Sequence, residues 1–154
     1  MLTIPNWSSD LSVGNPVVDA QHKQLLEVCR RLVVLADDPA TKKSALYELI
    51  NDVAELMRAH FRSEEEILRQ NNCPNLEAHI EEHEMLYQRL LEQLSVCMQN
   101  KEVSESDFDS LMTCWLSHHL LEADMPNKEY LRSTLVTSTK QARPAIPESS
   151  LALR

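Results

Sequence analysis

HFRSEEEILRQNNCPNLEAHIEEH, residues 60–83, carries two pairs of metal-ligating side chains on either side of a break. His60 and Glu64 are four residues apart, and so are His79 and His83. On an α-helix, residues four apart lie on one face with about 5–6 Å between Cβ atoms, so each pair presents two side chains to one point. Between the pairs, Asn71-Asn72-Cys73-Pro74 interrupts the helical pattern. Two helices joined by so short a turn pack antiparallel, and both pairs can then aim into the same space. Imidazole together with carboxylate suits iron, manganese or zinc.

Outward from this stretch the pattern stays helical. Leu46, Leu49, Ile50, Val53, Leu56 and Met57 lead into Phe61, Ile67 and Leu68 as one stripe, predicting a helix from about Thr41 to Asn71. His60 and Glu64 sit inside that stripe, where leucine is the default; Glu65 and Glu66 point elsewhere and read as solvated charge. Leu76, His79, Ile80, His83, Leu86, Tyr87, Leu90, Leu94 and Cys97 predict a helix over about 75–99. An earlier helix is expected from about Val18 to Ala36, on Val18, Leu25, Leu26, Cys29, Leu32, Val33 and Leu35, with His22 on the same face and a stop at Asp37-Asp38-Pro39. A last helix begins near Ser104 or Ser106, on Phe108, Leu111, Met112, Trp115, Leu116, His119 and Leu120. Pro126 disturbs it, because proline disfavours helix at the residue before it; Asn127 to Leu131 add a short helical turn.

Residues 1–17, with Pro5, Gly14 and Pro16, form an extended arm that Trp7 anchors in the core. Residues 132–154 shift to Ser and Thr with two prolines and no stripe, and read as a flexible tail or linker. Four amphipathic helices with short connections give an all-α fold, an antiparallel up-down-up-down four-helix bundle with an extended N-terminal arm, over residues 1–131.

The core-facing polar residues then count as follows. The first helix gives His22, the second His60 and Glu64, the third His79 and His83, and the fourth His119 with Asp124 five residues on. One histidine on an apolar face is usually a satisfied core residue. Five with two carboxylates cannot easily find other partners, and each unpaired buried polar group costs about 1–3 kcal/mol. A metal centre satisfies all of them at once. His118, beside His119, points away and reads as a surface residue. Seven ligands exceed one tetrahedral site and fit two metals bridged by two carboxylates. The usual di-iron bundle uses two Glu-x-x-His motifs; none occurs here, the nearest being Asp19-x-x-His22. A histidine-rich, less negative site disfavours very high oxidation states and points to reversible binding. His119 and Asp124 raise one further expectation. Five residues span about 140° beyond a full turn of a regular helix, so either a wide π-type turn lies between them or the helix ends there.

These pieces together resemble the hemerythrin family, on its bacteriohemerythrin side. The matching segments are Trp7 and Asp10-Leu11-Ser12-Val13-Gly14, then Asp19-x-x-His22-x-x-Leu25, His60-Phe61-x-x-Glu64-Glu65, His79-x-x-x-His83, and Trp115-Leu116-x-x-His119-x-x-x-x-Asp124. The resemblance covers about residues 5–130 and implies two iron ions (Fe2+/Fe3+) with an oxo or hydroxo bridge, binding O2 reversibly. It implies that His79, His83 and His119 hold a coordinatively full iron. His22 and His60 hold the other, which keeps an open position, and Glu64 and Asp124 bridge the two. It also implies an apolar O2 pocket of Leu25, Phe61, Trp115, Leu116 and Leu120.

Composition narrows the class. A formal net charge of -9 and a pI near 5.1 disfavour nucleic acid and anionic membranes. No apolar run approaches the ~20 residues of a membrane span. MLTIPNWSSD has no basic segment followed by an apolar core, so a cytoplasmic location without a signal peptide is expected. Cys29, Cys73, Cys97 and Cys114 form no C-x-x-C pair and read as small apolar residues, Cys73 being the most exposed. Three functions compete: O2 storage, delivery or buffering, with O2 and an O2-consuming enzyme as partners; an O2- or redox-sensing module of a larger signalling protein; and a di-iron oxidase or peroxidase, which the missing second carboxylate pair speaks against. A non-enzymatic O2 binder is the expectation.

Overall fold

A computed structural model describes residues 4–36, 43–99 and 105–132. Four long elements run in sequence: α1 (Pro16–Ala36), α2 (Lys43–Gln70), α3 (Leu76–Met98), and a fourth that begins as α4 (Glu105–Thr113) and continues as a π-helix (Cys114–Asp124). A short helix, α5 (Lys128–Leu131), follows. α1 packs on α2, α2 on α3, α3 on α4 and its π extension, and α4 closes against α1, which makes the bundle. The breaks at 37–42 and 100–104 and the tail from 133 onward lie outside the described residues, as do the side chains of Ala36, of residues 105–108 and of Ser117.

Local chemistry fixes where the helices begin and end. Asn15 precedes α1, and its Oδ1 accepts from the Val17 and Val18 amides at 3.0 and 3.3 Å, capping the helix that Pro16 opens. Asp19, in the first turn, reaches back instead of inward: its carboxylate accepts from Ser12 Oγ at 2.6 Å and from the Val13 amide at 2.9 Å. That ties the N-terminal arm onto α1. Gly14, at φ 81°, supplies the left-handed residue this reversal needs. The arm's Trp7 is half-buried against the core, with Lys23 Nζ over its ring at 5.1 Å.

α2 ends in a Schellman turn. Asn72 takes φ 54°, its amide donates to the Arg69 carbonyl at 3.2 Å, and the Cys73 amide donates to the Leu68 carbonyl at 2.9 Å. This turn folds Cys73 back onto Leu68, where both join Val13, Val18 and Leu131 in a small apolar cluster. Cys73 is therefore buried, against the expectation that it would be the most exposed cysteine; Cys114 is the half-exposed one. Burial pushes the Cys29 thiol up to about 12, so it acts as an apolar filler.

A second, larger apolar cluster contains Leu25, Leu26, Leu32, Ile50, Met57, Phe61, Leu86, Leu90, Leu111, Met112 and Trp115. Along each helix the two clusters are separated by polar positions. In α1, Val18 belongs to the small cluster and Leu25 to the large one, with His22 between; in α2, Leu68 and Phe61 flank Glu64. The bundle thus holds one polar layer between two apolar ones.

Candidate metal centre

All seven residues expected as ligands meet in that layer. His22, His60, Glu64, His119 and Asp124 are wholly buried, and His79 and His83 are nearly so. Each comes from the inner stripe of its helix: His22 from α1, His60 and Glu64 one turn apart on α2, His79 and His83 one turn apart on α3. His119 and Asp124 come from the π-helix. The five-residue step between these last two is accommodated by the first of the two geometries expected. The helix there is π, and the Met125 amide donates to the Leu120 carbonyl, five residues back, at 3.3 Å. A π turn rotates less per residue than an α turn, so residue i+5 comes nearer to the face of residue i and Asp124 shares the layer of His119.

The donor atoms fall into two groups that share both carboxylates. Glu64, His79, His83, His119 and Asp124 form one, and His22, His60, Glu64 and Asp124 the other; within each group one ligating atom per residue lies within 4.8 Å of every other. Asp124 divides its oxygens between them. Oδ2 is 3.3 Å from His22 Nε2, while Oδ1 is 3.2 Å from His119 Nε2 and 3.4 Å from His79 Nε2. Glu64 Oε2 is 3.7 Å from His60 Nε2, 3.2 Å from His79 Nε2 and 3.3 Å from His83 Nε2. All five histidines therefore turn Nε2 inward.

Protein groups alone do not satisfy this layer. Both Asp124 oxygens, Glu64 Oε1, His22 Nδ1 and His119 Nδ1 are buried without a hydrogen-bonded partner among the described residues. Leaving so many buried polar atoms unpaired costs about 1–3 kcal/mol each, whereas cations between the inward nitrogens and the carboxylates engage most of them. The donor set and its orphaned oxygens thus fit a di-iron site.

The electrostatics agree. Burial pushes the Glu64 carboxyl up, but the surrounding imidazoles, His60 foremost, outweigh it and hold the group well below the usual carboxylate range. Burial pushes His60 well below the ordinary histidine value, with Glu64 only partly opposing it, so His60 is a neutral donor. Burial works against the charged form of His119 too. There the carboxylates of Asp124, Glu64 and Glu82 prevail and raise it to about 10.

The apolar residues expected to form a pocket, Leu25, Phe61, Trp115, Leu116 and Leu120, are all buried in the large cluster. Phe61 touches both donor groups. Its ring stacks on His83 with centroids 3.9 Å apart and 13° between planes, and lies 5.6 Å from the ring of His60. His118 is exposed and pairs with Glu122 across one turn, outside the layer.

Sequence reasoning missed the residues behind the histidines. Glu65 is not solvated charge: it is half-buried, and Oε1 accepts from His83 Nδ1 at 2.7 Å. Glu66, on the surface beside Arg69, does behave as expected. Gln21 Oε1 lies 3.3 Å from His60 Nδ1, and Ser63 Oγ holds the other end of that amide at 3.0 Å. Glu82 Oε2 lies 3.5 Å from His119 Nδ1. The usable signal was adjacency: each follows or precedes a ligand or a ligand's helical neighbour, where a second acceptor for imidazole belongs.

A buried layer of five histidines and two shared carboxylates inside a helical bundle fits the non-haem iron-binding class of protein. A family model described as "Hemerythrin HHE cation binding domain" matches residues 13–126, and the chain belongs to the hemerythrin family, whose domain binds non-haem iron. The bacteriohemerythrin of Stenotrophomonas maltophilia (strain R551-3) is 26% identical over 129 residues, which are 84% of this chain and 82% of that protein. A hemerythrin-like protein of Naegleria gruberi is 30% identical over 132 residues, 84% of this chain and 98% of that one. A crystal structure of a hemerythrin leucine-to-alanine mutant matches with a TM-score of 0.76 at 19% identity, over 86% of this chain and 100% of that chain, a likeness of fold. No helix among the described residues is long and apolar enough to cross a membrane.

Proposed function

We propose that this chain binds O2 reversibly at a non-haem di-iron centre, for oxygen storage, delivery or buffering, and that it is not an enzyme. His79, His83 and His119 would hold one iron and His22 and His60 the other, with Glu64 and Asp124 shared. Two ferrous ions there would supply the two electrons that reversible O2 binding takes up. The observation that carries the reading is the unequal donor count around shared carboxylates, five on one side and four on the other. The four-donor group leaves its metal more room for an exogenous ligand.

The chain's own residues do the rest. His60, held neutral by burial, offers Nε2 as a donor at neutral pH. Asp124 spans both groups with separate oxygens and fixes their separation. Leu25, Phe61, Trp115, Leu116 and Leu120 keep water and anions from the layer, which slows loss of electrons to solvent. With five imidazole donors and only two carboxylates, the site carries too little negative charge to support the oxidation states oxygenases use.

A sensing role is the second reading, and the path from Asp124 favours it. α5 starts four residues after Asp124, and its carbonyls at Tyr130 and Leu131 accept from Asn71 Nδ2 at 2.6 Å and Asn15 Nδ2 at 2.9 Å. A shift of Asp124 would reach the segment beyond 132 through this clasp. The test of O2 binding is optical: reduce the iron-loaded protein anaerobically, admit air, then remove O2. A visible charge-transfer band that appears and disappears over repeated cycles is expected. A band that never reverses, or no band, would overturn the proposal.

A further inference from the structure

Each inward-turned imidazole has a second nitrogen, and what that nitrogen touches differs between the two donor groups. In the five-donor group, His83 Nδ1 donates to the Glu65 carboxylate at 2.7 Å. His119 Nδ1 makes no hydrogen bond among the described residues but lies 3.5 Å from the Glu82 carboxylate, an ion-pair contact. In the four-donor group, His60 Nδ1 lies 3.3 Å from the amide oxygen of Gln21, a neutral acceptor. The amide nitrogen of Gln21 donates to Ser63 Oγ, which in turn donates to the Ala59 carbonyl, so the Gln21 oxygen is the end that faces His60. His22 Nδ1 has no hydrogen-bonded partner among the described residues. Carboxylates thus stand behind two of the three imidazoles of one group, and among the described residues none stands behind either imidazole of the other.

We propose that Glu65 is a positioning residue that makes the five-donor group the tighter of two metal positions, while the neutral Gln21 leaves the four-donor position the weaker one. The inference rests on the two-metal reading above. An imidazole N–H donated to a carboxylate fixes the tautomer and strengthens the opposite nitrogen as a donor; such a partner is typically worth 10–100-fold in metal affinity. Gln21 fixes the tautomer of His60 in the same way but adds no charge. Glu65 is well placed to act through His83: the ring it holds is also stacked flat on Phe61, so its Nε2 has little freedom to turn away.

Anaerobic titration of the metal-free protein with cobalt(II), followed by visible absorption and calorimetry, tests the assignment. Wild type takes up two ions in two resolved steps. Glu65→Gln keeps an acceptor for His83 but removes the charge; it weakens the first step about 10–100-fold and leaves the second unchanged. Glu65→Asp restores part of the loss, and Gln21→Glu strengthens the second step and narrows the gap. Thermal melting of each metal-free variant separates a packing role from this one. A Glu65→Gln protein that melts lower without metal and loses both steps alike would overturn the proposal, as would one with an unchanged first step. Wild type that binds a single ion would overturn the two-metal reading and this inference with it. Two ions bound with unaltered affinity in Glu65→Gln would overturn this inference alone.

Discussion

His119 shows how a single residue links the metal-free and loaded states. Asp124, Glu64 and Glu82 raise it to about 10 against the opposing effect of burial, so without metal it carries a proton across the physiological range. Its folded value lies above the unfolded one near 6.5. The stability it contributes to the metal-free fold is therefore full below about pH 6.5 and lost as pH rises through about 10. A ligating His119 would be neutral, so metal uptake at about pH 8 should release at least one proton per chain, and affinity should rise with pH. Calorimetry in two buffers of different ionisation enthalpy measures this; uptake with no proton released would contradict it. A second residue-scale expectation concerns the pocket. Leu116→Ala should cost about 2–4 kcal/mol in stability and admit water, speeding autoxidation while the iron content stays the same. An unchanged autoxidation rate would remove Leu116 from the pocket. At this scale the buried polar layer was legible because five histidines set into apolar stripes must each find a polar partner inside the core, and only a shared one serves them all. Glu65 was not legible, because a run of three glutamates on a helix ordinarily faces water, and only the packing of α3 turns one of them toward His83.

At the scale of the element, the π-helix is the feature that the bundle would not need if it held no metal. Its wide turn exists where Asp124 must face the same layer as His119, and it is a less favourable backbone than the α-helix around it. Metal bound to Asp124 should hold this segment in place. Amide exchange is then expected to lose protection on metal removal chiefly across Cys114–Asp124, with the middle of α2 changing far less; a uniform change along the bundle would contradict this. The four long helices were legible from apolar periodicity alone, and the π turn from one mismatch of spacing, five residues where four would serve. The Schellman end of α2 was harder to read. Asn71-Asn72-Cys73-Pro74 announces a break, but which residue folds back depends on the left-handed conformation of Asn72, and that sends Cys73 into the small apolar cluster.

For the whole molecule, metal and fold are one equilibrium. The polar layer separates two apolar clusters, so the buried carboxylates and imidazoles cross the middle of the core. Chelation should leave the bundle helical but less stable. At free metal a hundredfold above Kd, each bound ion contributes about 2.7 kcal/mol, so two ions place the melting temperature on the order of 10–20 °C above that of the chelated protein. Identical melting curves would mean that the layer is stable without metal. The central claim is that His22, His60, Glu64, His79, His83, His119 and Asp124 serve two ions through two shared carboxylates. Elemental analysis of the purified protein tests it most directly. The account predicts two irons per chain; one metal ion per chain, or zinc in place of iron, would contradict it.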